Sequence, residues 1–250
     1  MKKKSLNAQK KILNFKHKNI NGIYKNFEKK LDKTQSYLVA VSGGPDSLSL
    51  AYLTKLFSNK YGTKFYYFIV DHKLRKESSK EAKQVVNLLK KIGITCKILV
   101  WIGKKPKSNI QSIARLNRYS LLIKECKKKQ IQNILLAHHR DDRDENFFIR
   151  LTRGSGLKGL ISFSEKVKNN NINFLRPLLQ YSKKDLINIS KNVFKYYFED
   201  PSNKDSNFKR IRLRFLINEL EKQGLDKSKL NLTLNNLAES DSALNYYCDK

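Results

Sequence analysis

A short polar string, Ser42-Gly-Gly-Pro-Asp-Ser47, is the first place in the sequence where residue types and spacing point to chemistry. The apolar run Tyr37–Val41 ends at this string, and a second apolar pattern begins at Leu48. The arrangement predicts a buried strand, a tight glycine turn and a helix start. Glycines allow successive backbone N–H groups to approach an anion, and the first turn of a helix adds further donors. The string therefore predicts a phosphate-binding corner, with an ordinary strand-to-helix turn as the alternative.

The string matches neither of the two common nucleotide-binding motifs. No Lys follows Gly44, so the Walker A pattern Gly-x-x-x-x-Gly-Lys-Ser/Thr is absent. The dinucleotide pattern Gly-x-Gly-x-x-Gly is absent as well. A kinase-like phosphate loop and a dinucleotide-binding turn are both disfavoured.

A second dense motif, His138-His-Arg-Asp-Asp142, follows another apolar run. Two histidines and two acids in this position fit either a transition-metal hydrolase or a Mg²⁺ site. A two-metal hydrolase needs a second cluster of ligands, and the sequence, with four histidines, offers none. The acids better suit Mg²⁺, which takes one or two carboxylates, waters and substrate phosphates. Asp71, at the end of a third apolar run, is either a turn cap or a group near the nucleotide.

Three groups of arginines are candidates for phosphate contacts, because the planar guanidinium fork matches phosphate oxygens. The first group lies on a predicted helix, where a solvated basic face is the alternative. The second lies in the last turn of another helix, where pairing with the helix dipole is the alternative. The third follows a turn and alternates with apolar residues, which favours a polyphosphate partner. The seven residues are Arg115, Arg118, Arg150, Arg153, Arg210, Arg212 and Arg214.

The elements that must position these residues follow a regular alternation. Strand-like runs are predicted at Tyr37–Val41, Phe65–Val70, Cys96–Trp101 and Asn133–Ala137, with helical patterns at 47–58, 78–92 and 110–129 between them. This predicts an α/β fold: a parallel, Rossmann-like sheet with helices on both faces. Ligands in such sheets bind beyond the carboxyl ends of the strands, which is where the polar motifs fall.

Further elements follow the sheet pattern. A surface excursion is predicted over 161–171, a helix start at Ser182, and a turn at Asp200-Pro-Ser-Asn203. A basic, helical N-terminal extension is predicted over 1–35, with Ile12, Phe15, Ile20, Ile23, Phe27 and Leu31 on its apolar face.

Composition limits the class of protein. Hydrophobic residues make up 40% and aromatics 10%, which are values of a globular chain. The 52 Lys and Arg against 22 Asp and Glu give a formal charge of +30, which indicates a polyanionic partner, although AT-rich coding also raises the Lys content. Three separated cysteines disfavour a disulfide framework and a structural zinc site. No apolar run reaches the length of a membrane span and no secretory signal follows Met1, so we expect a cytoplasmic protein without membrane association.

The motifs together resemble the tRNA(Ile)-lysidine synthase family of PP-loop ATPases. The resemblance is collinear and covers roughly residues 36–225. It rests on seven strings: Ser42-Gly-Gly-Pro-Asp-Ser47, Asp71-His-Lys-Leu-Arg75, Ala114-Arg-Leu-Asn-Arg-Tyr119, His138-His-Arg-Asp-Asp142, Arg150-Leu-Thr-Arg-Gly-Ser-Gly-Leu-Lys-Gly-Leu160, Arg176-Pro-Leu-Leu179 and Glu199-Asp-Pro-Ser-Asn203. The sequence departs from the family pattern at Arg143, Asp144, Asn146 and Ile211.

The resemblance implies a two-step ligation. ATP would adenylate the C2 carbonyl oxygen of the wobble cytidine in the CAU anticodon of tRNA(Ile), and the amine of free L-lysine would then displace AMP. It implies ATP and Mg²⁺ as cofactors, with Asp46 and Asp142 as metal ligands and Asp46, Asp141 and Asp142 as catalytic residues. The residues implied to bind the nucleotide are Ser42, Gly43, Gly44, Pro45, Asp46, Ser47, Asp71 and His138. The seven arginines named above are implied to contact ATP or tRNA phosphates.

The resemblance also implies a domain organisation. A PP-loop catalytic domain is expected over 36–225, and residues 226–250 are expected to begin a helical linker or a reduced C-terminal domain. The oligomeric state stays open, with a homodimer among the options.

Three other readings remain. Another PP-loop enzyme, a tRNA thiolase, commonly needs paired cysteines, and the sequence has no Cys-x-x-Cys. A metal-dependent phosphoesterase could be built on His138 and His139. A basic RNA-binding protein could carry the loop in an inactive form.

Overall fold

The computed structural model describes residues 18–103, 106, 108–169, 171–198 and 209–248. The helices are α1 Lys18–Glu28, α2 Pro45–Tyr61, α3 Ser78–Lys90, α4 Ile110–Lys129, α5 Arg140–Leu151, α6 Leu157–Leu160, α7 Lys183–Phe194, α8 Lys209–Lys222 and α9 Lys227–Cys248. The strands are β1 Tyr37–Val41, β2 Phe65–Asp71, β3 Cys96–Val100, β4 Asn133–Leu135, β5 Lys166–Asn169 and β6 Ile172–Leu175. The predicted Asp200–Asn203 turn, Ile12 and Phe15 lie outside the described residues.

The described residues fall into two compact units. The first, which we call the sheet unit, is drawn from Met1–His138 and Lys166–Phe198. The second, the helical unit, is drawn from His139–Glu165 and Glu199–Lys250. The sheet unit carries all six strands with α1 to α4 and α7, and the helical unit carries α5, α6, α8 and α9.

The six strands form one sheet in the order β3-β2-β1-β4-β6-β5. Strands β1 to β4 and β6 run parallel, with Tyr37 opposite Phe65 on one side and Asn133 on the other. The predicted parallel sheet is confirmed, and its strands begin where the apolar runs begin. Because β1 is central, the loop that follows it lies at the carboxyl edge among the ends of several strands.

The segment predicted as a surface excursion contains a strand. Lys166–Asn169 is exposed for the most part, as expected, but it pairs antiparallel with β6 as the edge strand of the sheet. Its sequence, Lys-Val-Lys-Asn, alternates exposed lysines with the half-buried Val167. An exposed edge strand has little apolar content, so periodicity alone did not reveal it.

Two apolar clusters cover the two faces of the sheet, as alternation along β1 requires. Tyr37, Val39 and Val41 face a cluster that includes residues of α1, α2, α3 and α7. Leu38 faces the other cluster, to which α4 contributes Leu122 and Cys126. Full burial of one such side chain contributes about 2 kcal/mol. The helices on both faces hold the strand ends in fixed positions.

Helix α2 is buried on most of its surface and has clear signals at both ends. Gly44 is its N-cap, Pro45 occupies the first turn, and Asp46 places negative charge near the positive end of the helix dipole. Gly62 ends it at φ 73° and donates its N–H to the Ser58 carbonyl oxygen. The fully buried Ser49 hydroxyl donates to the carbonyl oxygen of Leu186 in α7 at 2.7 Å. Hydrogen bonds therefore hold both the N-terminal part and the C-terminal end of α2, the helix that follows the polar loop.

Helix α7 begins as the sequence predicts, since Ser182 caps it and exchanges hydrogen bonds with Asp185. In the helical unit, α5 contacts α8, and α6 contacts α5 and α9. Ile211, Leu213 and Ile217 supply the buried face of α8. Among the described residues, no helix is both long and apolar enough to span a membrane.

Candidate active site

The loop Ser42–Ser47, which we call the glycine loop, connects the central strand β1 to α2. Gly43 has φ +87°, a conformation that L side chains rarely adopt. A Cβ at Gly43 would lie 2.5 Å from Cγ2 of Val85 and 3.3 Å from Cδ2 of Phe198. Gly44 has φ −69°, and a Cβ on this residue would lie at least 3.9 Å from its nearest neighbouring atoms. Only the first glycine is required by both backbone conformation and close packing.

Two backbone N–H groups of the glycine loop donate to a single atom, the hydroxyl oxygen of Ser47. Its Oγ accepts the backbone N–H groups of Ser42 and Gly43, each at 3.1 Å, and donates to the carbonyl oxygen of Gly44 at 3.1 Å. The Ser42 hydroxyl also lies 3.2 Å from it. Consecutive amides that converge on one oxygen form the concave donor set that binds a phosphate oxygen. The same hydrogen bonds also occur within an ordinary turn, so anion binding by the string stays a prediction.

Phe198 packs against the glycine loop at Gly43. Its backbone N–H donates to the carbonyl oxygen of Gly43 at 3.1 Å, and its ring packs edge-on against Tyr196, with centroids 5.0 Å apart. Val85 of α3 also packs against Gly43, with Cγ2 nearest to the position that a Cβ would take. The loop is thus held from two elements that lie far from it in sequence.

Asp71 ends β2 as predicted, and its carboxylate caps the turn that leads into α3. Oδ1 accepts the N–H of Lys73 at 2.9 Å and the hydroxyl of Ser78 at 2.8 Å, and Oδ2 accepts the hydroxyl of Ser79 at 2.5 Å. Burial acts to raise the pKa of Asp71, but these three hydrogen bonds outweigh it and hold the pKa below its usual value. The geometry favours the turn-cap reading, and nucleotide binding by Asp71 stays a prediction.

Arg115 and Arg118 occupy the same side of α4, as their spacing predicts. The Arg115 guanidinium lies 4.9 Å from the centroid of the Tyr119 ring, and that ring packs against Phe174 of β6. Arg118 lies near His72, and burial lowers the pKa of both side chains. The charge of Arg118 further lowers the pKa of His72. Two neighbouring cations in a half-buried setting lower each other's stability in the charged form, and contact of this pair with phosphate stays a prediction.

His138 follows β4 and is held by a residue that the sequence reasoning did not assign. Arg176, directly after β6, is buried and donates from Nε to Nδ1 of His138 at 3.2 Å. Because β4 and β6 are parallel neighbours, their carboxyl ends bring the two side chains together. The signal was present in Arg176-Pro-Leu-Leu179, a charged residue at the end of an apolar run.

In the helical unit, the acids of the second motif lie in the first turn of α5. Oδ2 of Asp142 accepts the backbone N–H of His139 at 3.1 Å and lies 3.5 Å from Nε2 of that histidine. Nδ1 of His139 is 3.9 Å from a carboxylate oxygen of Asp141. Both acids lie in the first turn of α5, at the positive end of the helix dipole. One oxygen of Asp142 therefore has a structural role in the N-terminal cap of α5.

Glu145 is buried one turn further along and pairs with Arg214 of α8. The guanidinium of Arg214 donates through Nε to Oε1 of Glu145 and through Nη2 to Oε2, the latter at 3.4 Å. Burial raises the pKa of Glu145, and Arg214 opposes that shift. The sequence reasoning assigned Arg214 to phosphate and gave Glu145 no role. The structure supplies Arg214 with a carboxylate partner, and its contact with phosphate stays a prediction.

The positions that depart from the family pattern make contacts inside the helical unit. Arg143 donates to the side-chain oxygens of Asn231 and Asn235 in α9, the second at 3.3 Å. Asn146 donates to the Ser162 hydroxyl at 3.4 Å, and Ile211 is buried in α8. Asp144 is 1% exposed, and burial, with Asp141 adding to it, raises its pKa to about 6.

The remaining arginines of the prediction lie on exposed or half-buried parts of the helical unit. Arg150 is half-buried in the last turn of α5, which ends at Leu151 before the predicted stop at Gly154. Arg153 follows the helix and is exposed. Arg210 and Arg212 are exposed on α8.

The residues fit Mg²⁺ better than a transition metal. No group of three or more His, Cys, Asp or Glu side chains placed to hold a metal occurs among the described residues. Zinc sites use three or four protein ligands, whereas Mg²⁺ keeps waters and shares phosphate oxygens with one or two carboxylates. Asp46 and Asp142 belong to different units, and their joint binding of Mg²⁺ stays a prediction.

The described cysteines are all free thiols. Cys96 and Cys126 are buried in the two separate apolar clusters of the sheet unit, and Cys248 is exposed in the helical unit. Burial raises the pKa of Cys96 and of Cys126 to about 12, so neither is a reactive thiolate.

The chain is similar to known proteins both in sequence and in structure. The sequence profile of the PP-loop domain family matches residues 13–220. The tRNA(Ile)-lysidine synthase of Bradyrhizobium diazoefficiens is 35% identical over 221 residues, which cover 88% of this chain and 61% of that protein. The tRNA(Ile)-lysidine synthase of Wolbachia pipientis is 37% identical over 211 residues, covering 84% of this chain and 49% of that protein.

These shares mean that the chain spans only about half to three fifths of the length of those curated relatives. Among solved structures, the chain is similar to the U34-tRNA thiolase NcsA of Methanococcus maripaludis, a structure with a [4Fe-4S] cluster. The TM-score is 0.75 at 17% identity, covering 88% of this chain and 80% of that chain. A likeness at this identity concerns the fold alone.

Proposed function

The chain belongs to the PP-loop domain family, and from that premise we propose that it ligates lysine to the wobble cytidine of tRNA(Ile) with a CAU anticodon, using ATP. The observation that carries the proposal is the match to proteins named tRNA(Ile)-lysidine synthase, at 35% and 37% identity over most of this chain. In the first step the cytidine C2 oxygen attacks the α-phosphorus of ATP and pyrophosphate leaves. In the second step an amine of lysine attacks C2, and AMP and a proton leave.

The glycine loop suits the charge that the first step develops. The departing pyrophosphate gains negative charge, and the loop presents the amides of Ser42 and Gly43 around one oxygen position. In the structure that position holds the Ser47 hydroxyl oxygen. Donors fixed before the reaction stabilise developing charge without the cost of reorganisation. The loop would thus bind the β- and γ-phosphates and assist their departure.

We propose that Mg²⁺ accompanies ATP and is held by Asp46 and Asp142, with Asp141 in support. When bound, Mg²⁺ would neutralise charge on the phosphates. Asp46 lies in the first turn of α2, immediately after the amides that receive the phosphates. Asp142 keeps the N-terminal cap of α5 and offers carboxylate charge there.

The basic side chains would bind tRNA through its phosphates. The formal charge of +30 and the exposed Arg153, Arg210 and Arg212 support a polyanionic partner. A base in a single-stranded anticodon loop can be splayed out and recognised in a pocket. We further propose that the protein works in the cytoplasm, where tRNA, ATP and lysine are present together.

The test is a reconstituted ligation assay. Purified protein is incubated with CAU-anticodon tRNA(Ile), ATP, Mg²⁺ and labelled lysine, and tRNA-bound label, AMP and pyrophosphate are measured. We expect label on tRNA with one AMP per lysine, and none on a matched tRNA(Ile) transcript with a GAU anticodon. Hydrolysis of ATP or RNA without label on tRNA contradicts the proposal, and so does sulfur transfer with a sulfide donor.

An Asp46→Ala variant separates chemistry from binding in the same assay. Removal of the carboxylate should abolish adenylation, since Mg²⁺ and the phosphates lose a ligand, while tRNA affinity changes little. A large loss of tRNA affinity would instead assign Asp46 to folding or to RNA binding. Circular dichroism of the variant distinguishes those two outcomes.

A further inference from the structure

Arg176 and His138 form a contact whose chemistry fixes the state of the imidazole. Nε of Arg176 lies 3.2 Å from Nδ1 of His138. An arginine side chain is always protonated and has no acceptor, so its Nε–H must donate. Nδ1 of His138 must therefore offer a lone pair, which excludes a proton at that atom. A neutral ring with Nδ1 unprotonated carries its proton on Nε2.

We propose that Arg176 is a positioning residue that holds His138 as a neutral imidazole with the proton on Nε2, so that His138 acts as a hydrogen-bond donor. In this state Nδ1 is occupied by Arg176, and Nε2 has no lone pair in the plane of the ring. The ring cannot serve as a general base, nor can it ligate a metal. His138 thus acts as a donor rather than as a base or a metal ligand.

The local structure shows why an arginine can occupy this position. Arg176 directly follows β6, and Pro177 restricts the residue before it to an extended backbone. The carbonyl oxygen of Arg176 accepts the N–H of Leu179 at 3.2 Å, which closes the turn after the strand. The backbone is therefore fixed on both sides of a side chain that is 7% exposed.

Burial of a guanidinium is costly, and such groups are retained where their fixed fork orients a partner. Lysine could supply the charge at this position but not a planar donor in the same place. His138 is anchored independently of Arg176, because Leu136, two residues before it, donates its N–H to the carbonyl oxygen of Leu175 at 2.9 Å. The backbones of the two residues are therefore held by a hydrogen bond between neighbouring segments of the sheet. The protonation state of the His138 ring is set by its contact with the Arg176 side chain.

The catalytic consequence rests on the proposed function. An Nε2–H donor at the carboxyl end of β4 would serve a phosphate oxygen of ATP or of the adenylate, where negative charge increases during phosphoryl transfer. Because the ring is neutral, it can donate to the anion without releasing a proton to it. The state of the ring itself does not depend on the identity of the substrate.

The test is nitrogen-15 NMR of the histidine rings in the full chain at neutral pH. The sequence has four histidines, so the ring of His138 can be assigned by its loss in His138→Asn. Long-range proton–nitrogen correlations distinguish the Nε2–H form, the Nδ1–H form and the imidazolium. We expect His138 to be wholly in the Nε2–H form in the unmodified protein, and to lose this single state in Arg176→Met.

Lys166→Met is the matched control. Lys166 lies on the exposed edge strand β5 and pairs with Leu175, the residue before Arg176. It removes the same charge at the neighbouring position and should leave the His138 spectrum unchanged. An Nδ1–H form or an imidazolium in the unmodified protein overturns the proposal. An Arg176→Met spectrum identical to the unmodified one also overturns it.

The activity arm uses Arg176→Met and Arg176→Lys in the ligation assay, with unfolding measured beside it. We expect kcat to fall about 10-fold or more in both variants while KM for ATP changes little, because the donor acts on charge that develops in the transition state. Recovery of full activity in Arg176→Lys would show that charge alone suffices and would overturn the positioning role. If the unmodified protein ligates no lysine, the proposed function fails, and the NMR result still decides the state of His138.

Discussion

The glycine loop of the sheet unit and the helical unit use polar groups in different ways. In the sheet unit, the glycine loop is built from backbone amides, carbonyl oxygens and the hydroxyls of Ser42 and Ser47. In the helical unit, charged side chains make the contacts, as in Arg214 with Glu145 and Arg143 with Asn231. The loop therefore depends on backbone shape, whereas the helical unit depends on which charge faces which partner.

This difference determines how each unit should respond to substitution. A donor set made of backbone amides cannot be weakened by removing a charge, but a single Cβ can displace it. A buried ion pair tolerates small changes of shape but leaves an uncompensated charge when one partner is removed. Substitutions that add a Cβ in the glycine loop should therefore alter activity, and removal of one partner of a buried ion pair in the helical unit should lower stability.

The largest effect is expected at Gly43. Gly43→Ala places a Cβ 2.5 Å from Cγ2 of Val85 at a φ of +87°, so the loop must move and its amides lose their common focus. Loss of one preorganised donor typically costs about 100-fold in rate, and here two amides are displaced. We expect adenylation, measured as pyrophosphate release, to fall by about that factor or more.

Gly62 provides the matched control, because it lies at the other end of α2, has φ +73° and would meet no atom within 4 Å of a Cβ. Gly62→Ala should lower the melting temperature and leave the rate of adenylation unchanged. Gly44→Ala, which meets neither strain nor a close neighbour, should lose much less activity than Gly43→Ala. Equal losses at the two loop glycines would contradict the role of backbone shape at Gly43.

The next effect is expected at Arg214. Arg214→Gln leaves the buried carboxylate of Glu145 without its partner, which should lower the free energy of unfolding by about 3 kcal/mol. Urea unfolding monitored by circular dichroism measures the change. The double variant Arg214→Met with Glu145→Gln should recover much of the loss, since no buried charge remains.

A smaller effect is expected at the exposed arginines of α8. Reversal of Arg210 and Arg212 to Glu should weaken tRNA binding by roughly 10-fold and reduce the salt dependence of affinity by about two charges. Arg214→Glu should lower stability more than either of these changes. Filter binding over a range of salt concentrations measures the slope, and an unchanged slope would mean that Arg210 and Arg212 do not contact phosphate.

The features that the sequence predicted are those set by local patterns. The strand starts, the glycine turn and the Ser182 cap follow from apolar periodicity, glycine and a capping residue, which act within a few positions. Fold class and family were likewise predictable, since seven motifs occur in order. Roles of single site residues were less accessible, and most remain predictions.

What the sequence could not predict is how distant side chains pair. The carboxylate of Asp71 accepts hydrogen bonds from three donors in the turn that follows it. An aspartate that caps a turn and an aspartate that binds a ligand have the same sequence pattern at the end of a strand. Arg214 meets Glu145 across 69 positions, and Arg176 meets His138 across 38. Arginine in a basic chain suggests an anionic ligand in each case, and only the packing of elements reveals that the partner is internal.

An effect on stability that depends on pH is expected at Asp144, where a carboxyl is buried and its pKa is raised from 3.8 to about 6. The unfolded chain releases this proton near pH 4 and the folded chain near pH 6, so stability falls as pH rises through this window. Well above pH 6 the penalty is complete, at about 3 kcal/mol. Asp144→Asn should therefore stabilise the protein at pH 8 and have little effect at pH 4, as measured by thermal unfolding.

Asp226 offers a control of opposite sign within the same unit. Its exposed carboxylate accepts the hydroxyl and the N–H of Ser228, and these hydrogen bonds hold its pKa below the usual value. Stability from Asp226 is present above its unfolded pKa and is lost as pH falls, so Asp226→Asn should destabilise at pH 8. A shift of the melting temperature in the same direction for both substitutions at pH 8 would contradict this prediction. It would mean that burial of charge does not distinguish Asp144 from Asp226, and that stability at this position does not depend on which charge faces which partner.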